Sequence, residues 1–326
     1  MASRRWLKPF ITIAFYTLLA AFLVIYVVNT DWSTFADIDI DARFLVLAAI
    51  AALGFRYWQT FIWITVLRGL GAHDVRMNAE LIHVYAKSWL GRYIPGTAPW
   101  ILGKIYFASL HGVSKSKLAV GSLLEGAIQI AVLLVTSSVL LLLDPRLDVL
   151  PVEYSYAMIA VIVVSVIALL PPVFNLLIGL AFRILRRPGL SADNKVGPRT
   201  ILIAAGQYTV GALMSGLSLF FIVKALYPAL ALSDALFVIA SGNLAGAASM
   251  LAIFAPGGIG VREGIQLLLL GIVIPGAIAL VAVVFTRVWG IFMDLAFFGL
   301  GAGGLAIKKR RKGPETGSAA SSDMPN

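Results

Sequence analysis

The chain has 326 residues, 60% of them hydrophobic and 13% charged, at a mean hydropathy of +0.92. Soluble domains carry about 25% charged residues to keep a wetted surface, so this composition excludes a water-soluble globular protein and requires lipid around the outside. The net charge of +10 is concentrated at the ends of apolar segments and cysteine is absent, which excludes disulfide chemistry and points to membrane flanks rather than a nucleic-acid partner.

In lipid every spanning backbone must satisfy its own hydrogen bonds. The nearly unbroken apolar run 123–143 does this as a helix and lacks the alternation of a membrane barrel. An all-α polytopic protein is therefore expected, with six full spans at 10–28, 44–67, 118–143, 156–182, 200–226 and 277–304. The first follows Arg4, Arg5 and Lys8 as a signal peptide would, yet it is long enough to span and lacks an Ala-x-Ala site. It is read as a retained helix.

Two further apolar stretches, 79–111 and 234–274, are broken near their middles. Pro95, Gly96 and then Pro99 interrupt the first; Pro256, Gly257, Gly258 and Gly260 interrupt the second. Proline removes a helical donor and glycine tolerates turns, so each stretch becomes two legs around a tip. The leg 100–111 rises about 17 Å against about 30 Å of hydrocarbon and cannot cross alone.

Charge bias favours hairpins that return to their own side, and its parity equally allows two short, tilted full crossings in place of either. The loop 29–43 carries Asp31, Asp37, Asp39 and Asp41 and should face out, whereas Arg68 and Arg76 put the next loop inside. If 79–111 returns, Lys115, Lys117 and the basic linker 183–199 also fall inside. The result is span, span, hairpin, span in each half (1–155 and 156–307), in opposite orientations: an inverted repeat whose broken segments meet near the midplane. Residues 308–326 form a basic run and then a cytoplasmic tail of disordered composition.

Broken helices at membrane depth leave unpaired N–H groups at the break, and arginine offers a planar fork that suits phosphate. Arg92 precedes the first tip, Lys104 lies on its second leg, and Arg262 and Glu263 follow the second tip. Within spans stand Arg56, Glu125, Arg287 and Asp294, each costing about 2.5–3.5 kcal/mol at a helix centre unless paired or wetted. The headgroup-binding candidates are Arg56, Arg92, Lys104, Arg262 and Arg287. Glu125, Glu263 and Asp294 are candidates for charge balance or proton coupling, against the plainer reading of structural ion pairs. Gly242, Gly246 and the 299–304 glycines read as sites of close helix packing. No metal or cofactor is expected, since His73, His83 and His111 are dispersed.

Arg92-x-x-Pro95-Gly96, then Gly112-Val113-Ser114, Ala119 and Glu125, resembles the first half of the lysylphosphatidylglycerol synthase membrane-region family. Pro256-Gly-Gly-Ile-Gly-Val-Arg-Glu263, with Gly271 and Arg287, resembles its second half. The resemblance runs over roughly 10–309 and departs at Thr97-Ala98, where more glycine is expected. It implies the flippase module that moves an aminoacylated phospholipid between leaflets, without the aminoacyl-transferase domain. It also implies a bacterial or archaeal cytoplasmic membrane; both termini are expected to be cytoplasmic from the charge bias, with Arg4, Arg5 and Lys8 at one end and 308–312 at the other. Such relatives are also associated with glycosyltransferase and polyprenyl-lipid systems. The expected function is movement of a phospholipid or polyprenyl-linked lipid; the alternative is a non-transporting scaffold for a lipid-modifying or glycosyltransferase partner.

Overall fold

The computed structural model describes Thr17 and residues 40–93, 99–109, 114–146, 151–184, 196–252 and 258–311. These form ten α-helices without a strand: α1 (Ala42–Gly69), α2 (Ala79–Trp89), α3 (Pro99–Ser109), α4 (Lys115–Leu142), α5 (Val152–Leu169), α6 (Pro171–Ile184), α7 (Pro198–Leu226), α8 (Ala235–Leu251), α9 (Val261–Leu270) and α10 (Gly276–Arg311). Short 3-10 turns, Leu90–Tyr93 and Leu232–Asp234, follow α2 and precede α8.

Local signals set the starts. Asp41 caps α1 by accepting from the Arg43 N–H at 3.0 Å, and Asn78 caps α2 through the Leu81 N–H at 2.9 Å. The Arg43 side chain also donates to Asp41, which holds that half-buried carboxyl below its ordinary range. Pro198 opens α7, where the missing N–H costs nothing.

Large apolar side chains such as Ile50, Val164, Leu202 and Phe292 face outward, while Arg56, Lys104, Glu125 and Asp294 are buried. Only a lipid exterior makes that inversion stable. Six helices, Ala42–Gly69, Lys117–Leu142, Val152–Leu169, Pro198–Leu226, Leu232–Leu251 and Gly276–Lys308, are long and apolar enough to cross a bilayer. The chain is an all-α polytopic membrane protein.

Two spans differ from expectation, and a third, 10–28, lies outside the described residues apart from Thr17. The span expected at 156–182 divides at Leu170, whose backbone is extended (ψ 130) before Pro171-Pro172. Proline clashes with a helical residue before it, so α5 ends there and α6 starts afresh. The other difference is Leu232–Leu251, the first leg of the second hairpin, which is long enough to cross by itself.

Both broken stretches nonetheless return to the end they leave. At one end of the bundle the Lys117 ammonium donates to Gly71 O at 2.9 Å, joining the start of α4 to the loop before α2. At the same end Lys308 of α10 pairs with Glu80 of α2 at 3.2 Å. The segment between α1 and α4 thus leaves and re-enters this basic end, and its two legs, α2 and α3, pack together. At the other end Asp41 N donates to Ala225 O at 3.1 Å, and Arg146 pairs with Asp234. Ile274 and Ile278 join Leu226 and Leu230 there, so the segment between α7 and α10 starts and finishes at this acidic end.

The two halves interleave instead of forming separate cores. α1 and α7 are antiparallel: Ser218 Oγ donates to Ala48 O at 3.0 Å and Trp58 Nε1 to Gln207 O at 2.7 Å. α2 of the first hairpin packs on α10, and α8 of the second packs reciprocally on α4. Those neighbours are the ones that an inverted repeat demands. Gly242 assists the α7–α8 contact, since a Cβ there would lie 2.8 Å from Leu219. The glycines at 299–304 were expected to do likewise, but Gly299, Gly303 and Gly304 have open space around them and Gly301 alone approaches a neighbour, His83.

Candidate functional site

Half-way along α1, Arg56 enters the interior and meets Asp294 of α10, its Nε 2.6 Å from Oδ1. Its other nitrogens donate to Ala52 O and Gly290 O at 2.9 and 3.0 Å. Asp294 also accepts from Trp89 Nε1 at 3.1 Å, and Arg92 Nε stands 3.6 Å from its second oxygen. One carboxylate therefore ties α1, the first hairpin and α10 together. Burying it without partners would cost several kcal/mol, and three donors offset that cost.

The second hairpin arrives from the opposite side. Buried Gly258 and Gly260 turn the chain with φ of +67 and +90, a region that side chains rarely adopt. A Cβ at Gly258 would sit 2.5 Å from Ser249 Cβ, so the chain at Gly258 lies tightly against α8. Glu263, in the first turn of α9, accepts from Gly260 N at 2.7 Å and reaches Arg287 Nη1 at 3.3 Å. Arg262 beside it has no ion pair among the described residues, and it lies within electrostatic range of Arg92, Glu263, Arg287 and Arg56.

These groups line one cavity of about 100 Å³ at the junction of the halves, where a single water needs roughly 10–15 Å³. Arg56, Arg92, Arg262 and Arg287 all face it, with Glu263, Gln266, Trp89, Trp289, Thr286, Ser215 and Ser218. Two buried donors there, Gln266 Nε2 and Trp289 Nε1, have no hydrogen-bond partner among the described residues. Guanidiniums crowded at low dielectric repel one another, and an anion relieves that repulsion while satisfying such donors.

Lys104 stands apart. It was expected at the headgroup site, but its Nζ lies 2.8 Å from Glu125 Oε2 with side-chain exposures of 0% and 4%. The ammonium also faces the rings of Tyr85 at 4.6 Å and Trp63 at 5.9 Å. α3 packs on α4, and Lys104 forms part of that contact instead of lining the cavity. The expected tip residues Pro95, Gly96, Pro256 and Gly257 lie outside the described residues.

No family model, no curated protein and no solved structure matches the chain. Four of the five basic residues singled out in the sequence come together here. Gln266, Trp89 and Trp289 were missed, although helical spacing held a signal for two of them: Gln266 is one turn beyond Arg262, and Trp89 is three residues before Arg92.

Proposed function

We propose that this protein moves a lipid with an anionic headgroup between the leaflets of a membrane. The observation that carries this reading is the set of four arginines from both halves around one cavity. A charged headgroup in hydrocarbon faces a prohibitive desolvation cost, and a basic cavity between the halves lowers it. The headgroup enters between the halves, exchanges into the arginine cluster, and leaves when the halves rock; the acyl chains stay in the bilayer.

The motif resemblance to the lysylphosphatidylglycerol synthase membrane region supports the same reading. By the positive-inside bias, the end bearing Arg68, Arg76, Lys117 and Lys308 faces the cytoplasm. Glu263 holds Arg287 until the ligand displaces it. Glu125 with Lys104 is the counterpart charge pair of the first half.

Reconstitution into vesicles with phosphatidylglycerol, an aminoacylated phospholipid or a polyprenyl phosphate tests this. Protein-dependent movement of at least one lipid is expected. Absence of movement for every class, together with a stably co-purifying lipid-modifying enzyme or glycosyltransferase, would favour a scaffold instead.

A further inference from the structure

Four guanidiniums and Glu263 line the cavity, and Asp294 lies behind Arg56, which together leave two positive charges in excess. Both carboxylates are engaged: Glu263 with Arg287 and the Gly260 N–H, Asp294 with Arg56 and Trp89. The two hairpin-tip sequences, 94–98 and 253–257, contain no charged residue, and neither does 10–28. An ammonium-bearing headgroup would thus meet four cations and, among the described residues, no uncommitted carboxylate. A dianion would balance the cavity.

The polar geometry points the same way. Arg287 is half-exposed, at 37%, at the cavity wall, and Arg262 beside it has no ion pair among the described residues. The unpartnered Gln266 and Trp289 N–H groups are donors that need an acceptor. Planar guanidiniums with neutral donors around them suit the tetrahedral oxygens of phosphate.

Resting on the translocation reading, we propose that the cavity's ligand is a phosphate monoester in its dianionic form, in preference to a phosphodiester or an aminoacylated headgroup. The same chemistry is offered by a lipid ending in a monophosphate and by free inorganic phosphate. The lipid form is distinguished by its chains, which need an exit from the cavity into the bilayer.

Binding to the intact chain in nanodiscs tests this, with short-chain phosphatidate, phosphatidylglycerol, an aminoacylated phosphatidylglycerol and inorganic phosphate as probes. At pH 8 phosphatidate should bind at least about tenfold tighter than either diester, the worth of one charge-assisted contact. The advantage should shrink at pH 5, because the second phosphate proton leaves near pH 6. Arg262→Gln and Gln266→Leu should each weaken phosphatidate binding without lowering the unliganded melting temperature. Equal or tighter binding of either diester, or a phosphatidate preference unchanged with pH, overturns the proposal. Inorganic phosphate binding as tightly as phosphatidate keeps the dianion and overturns the lipid as its source. Tight phosphatidate binding with no vesicle movement would leave this inference standing and defeat translocation; movement that favours phosphatidylglycerol would do the reverse.

Discussion

Lys104 of α3 and Glu125 of α4 lie 2.8 Å apart, both withdrawn from solvent, while in the second half Glu263 of α9 and Arg287 of α10 lie 3.3 Å apart at the cavity wall. In each half a hairpin leg is pinned to the helix that follows it, with the order of charges exchanged. One pair is sealed and the other opens onto the cavity. Breaking a sealed pair leaves an uncompensated buried charge and costs about 3–5 kcal/mol. Lys104→Met and Glu125→Leu should each destabilise the protein in mixed micelles by roughly that amount, and the double variant by clearly less than the sum. Additive losses would mean that the two side chains do not interact.

The second tip depends on glycine. Gly258→Ala places a methyl against Ser249 at a φ of +67, a conformation costing about 1–3 kcal/mol before the clash is counted. It should lower the melting temperature and disturb Arg262 and Glu263, which follow directly. Gly246→Ala is the control, since its added Cβ would stand 3.7 Å from Leu133, and it should change stability by less than about 1 kcal/mol. Equal effects of the two substitutions would contradict the tight tip.

Sidedness can be read with single cysteines, because the chain has none of its own. Asp74→Cys and Lys115→Cys flank the first hairpin and should react with an impermeant maleimide from one face of an oriented vesicle. Leu232→Cys, before the second hairpin, should react from the opposite face. Labelling of positions 74 and 115 from opposite faces would turn the first hairpin into a full crossing.

How much of this was legible in the sequence follows from what each signal encodes. Apolar runs fixed α1, α4, α7 and α10 because lipid demands length and hydropathy alone. Charge bias anticipated which helix ends share a side, as the Lys117–Gly71 and Lys308–Glu80 contacts show. The division at Leu170 was written in Pro171-Pro172, although the apolar composition runs straight through it. Pairing was harder to read. Arg287 and Asp294 share a helical face seven residues apart, but their partners, Glu263 and Arg56, come from distant elements that only the tertiary packing selects. Lys104 belongs with them: its partner Glu125 lies on α4, a pairing that local sequence does not record.

The most direct test of the central claim is leaflet-resolved movement of labelled lipid in proteoliposomes, comparing wild type with Arg262→Ala, Glu263→Gln and, as a control far from the cavity, Arg43→Ala. Wild type and Arg43→Ala should move one lipid class at the same rate. Arg262→Ala should lose about tenfold or more, the worth of a charge-assisted contact to a phosphate, and Glu263→Gln should change the rate by altering the hold on Arg287. Undiminished movement in Arg262→Ala, with the lipid preference intact, would place the transport path outside the arginine cavity and contradict this account.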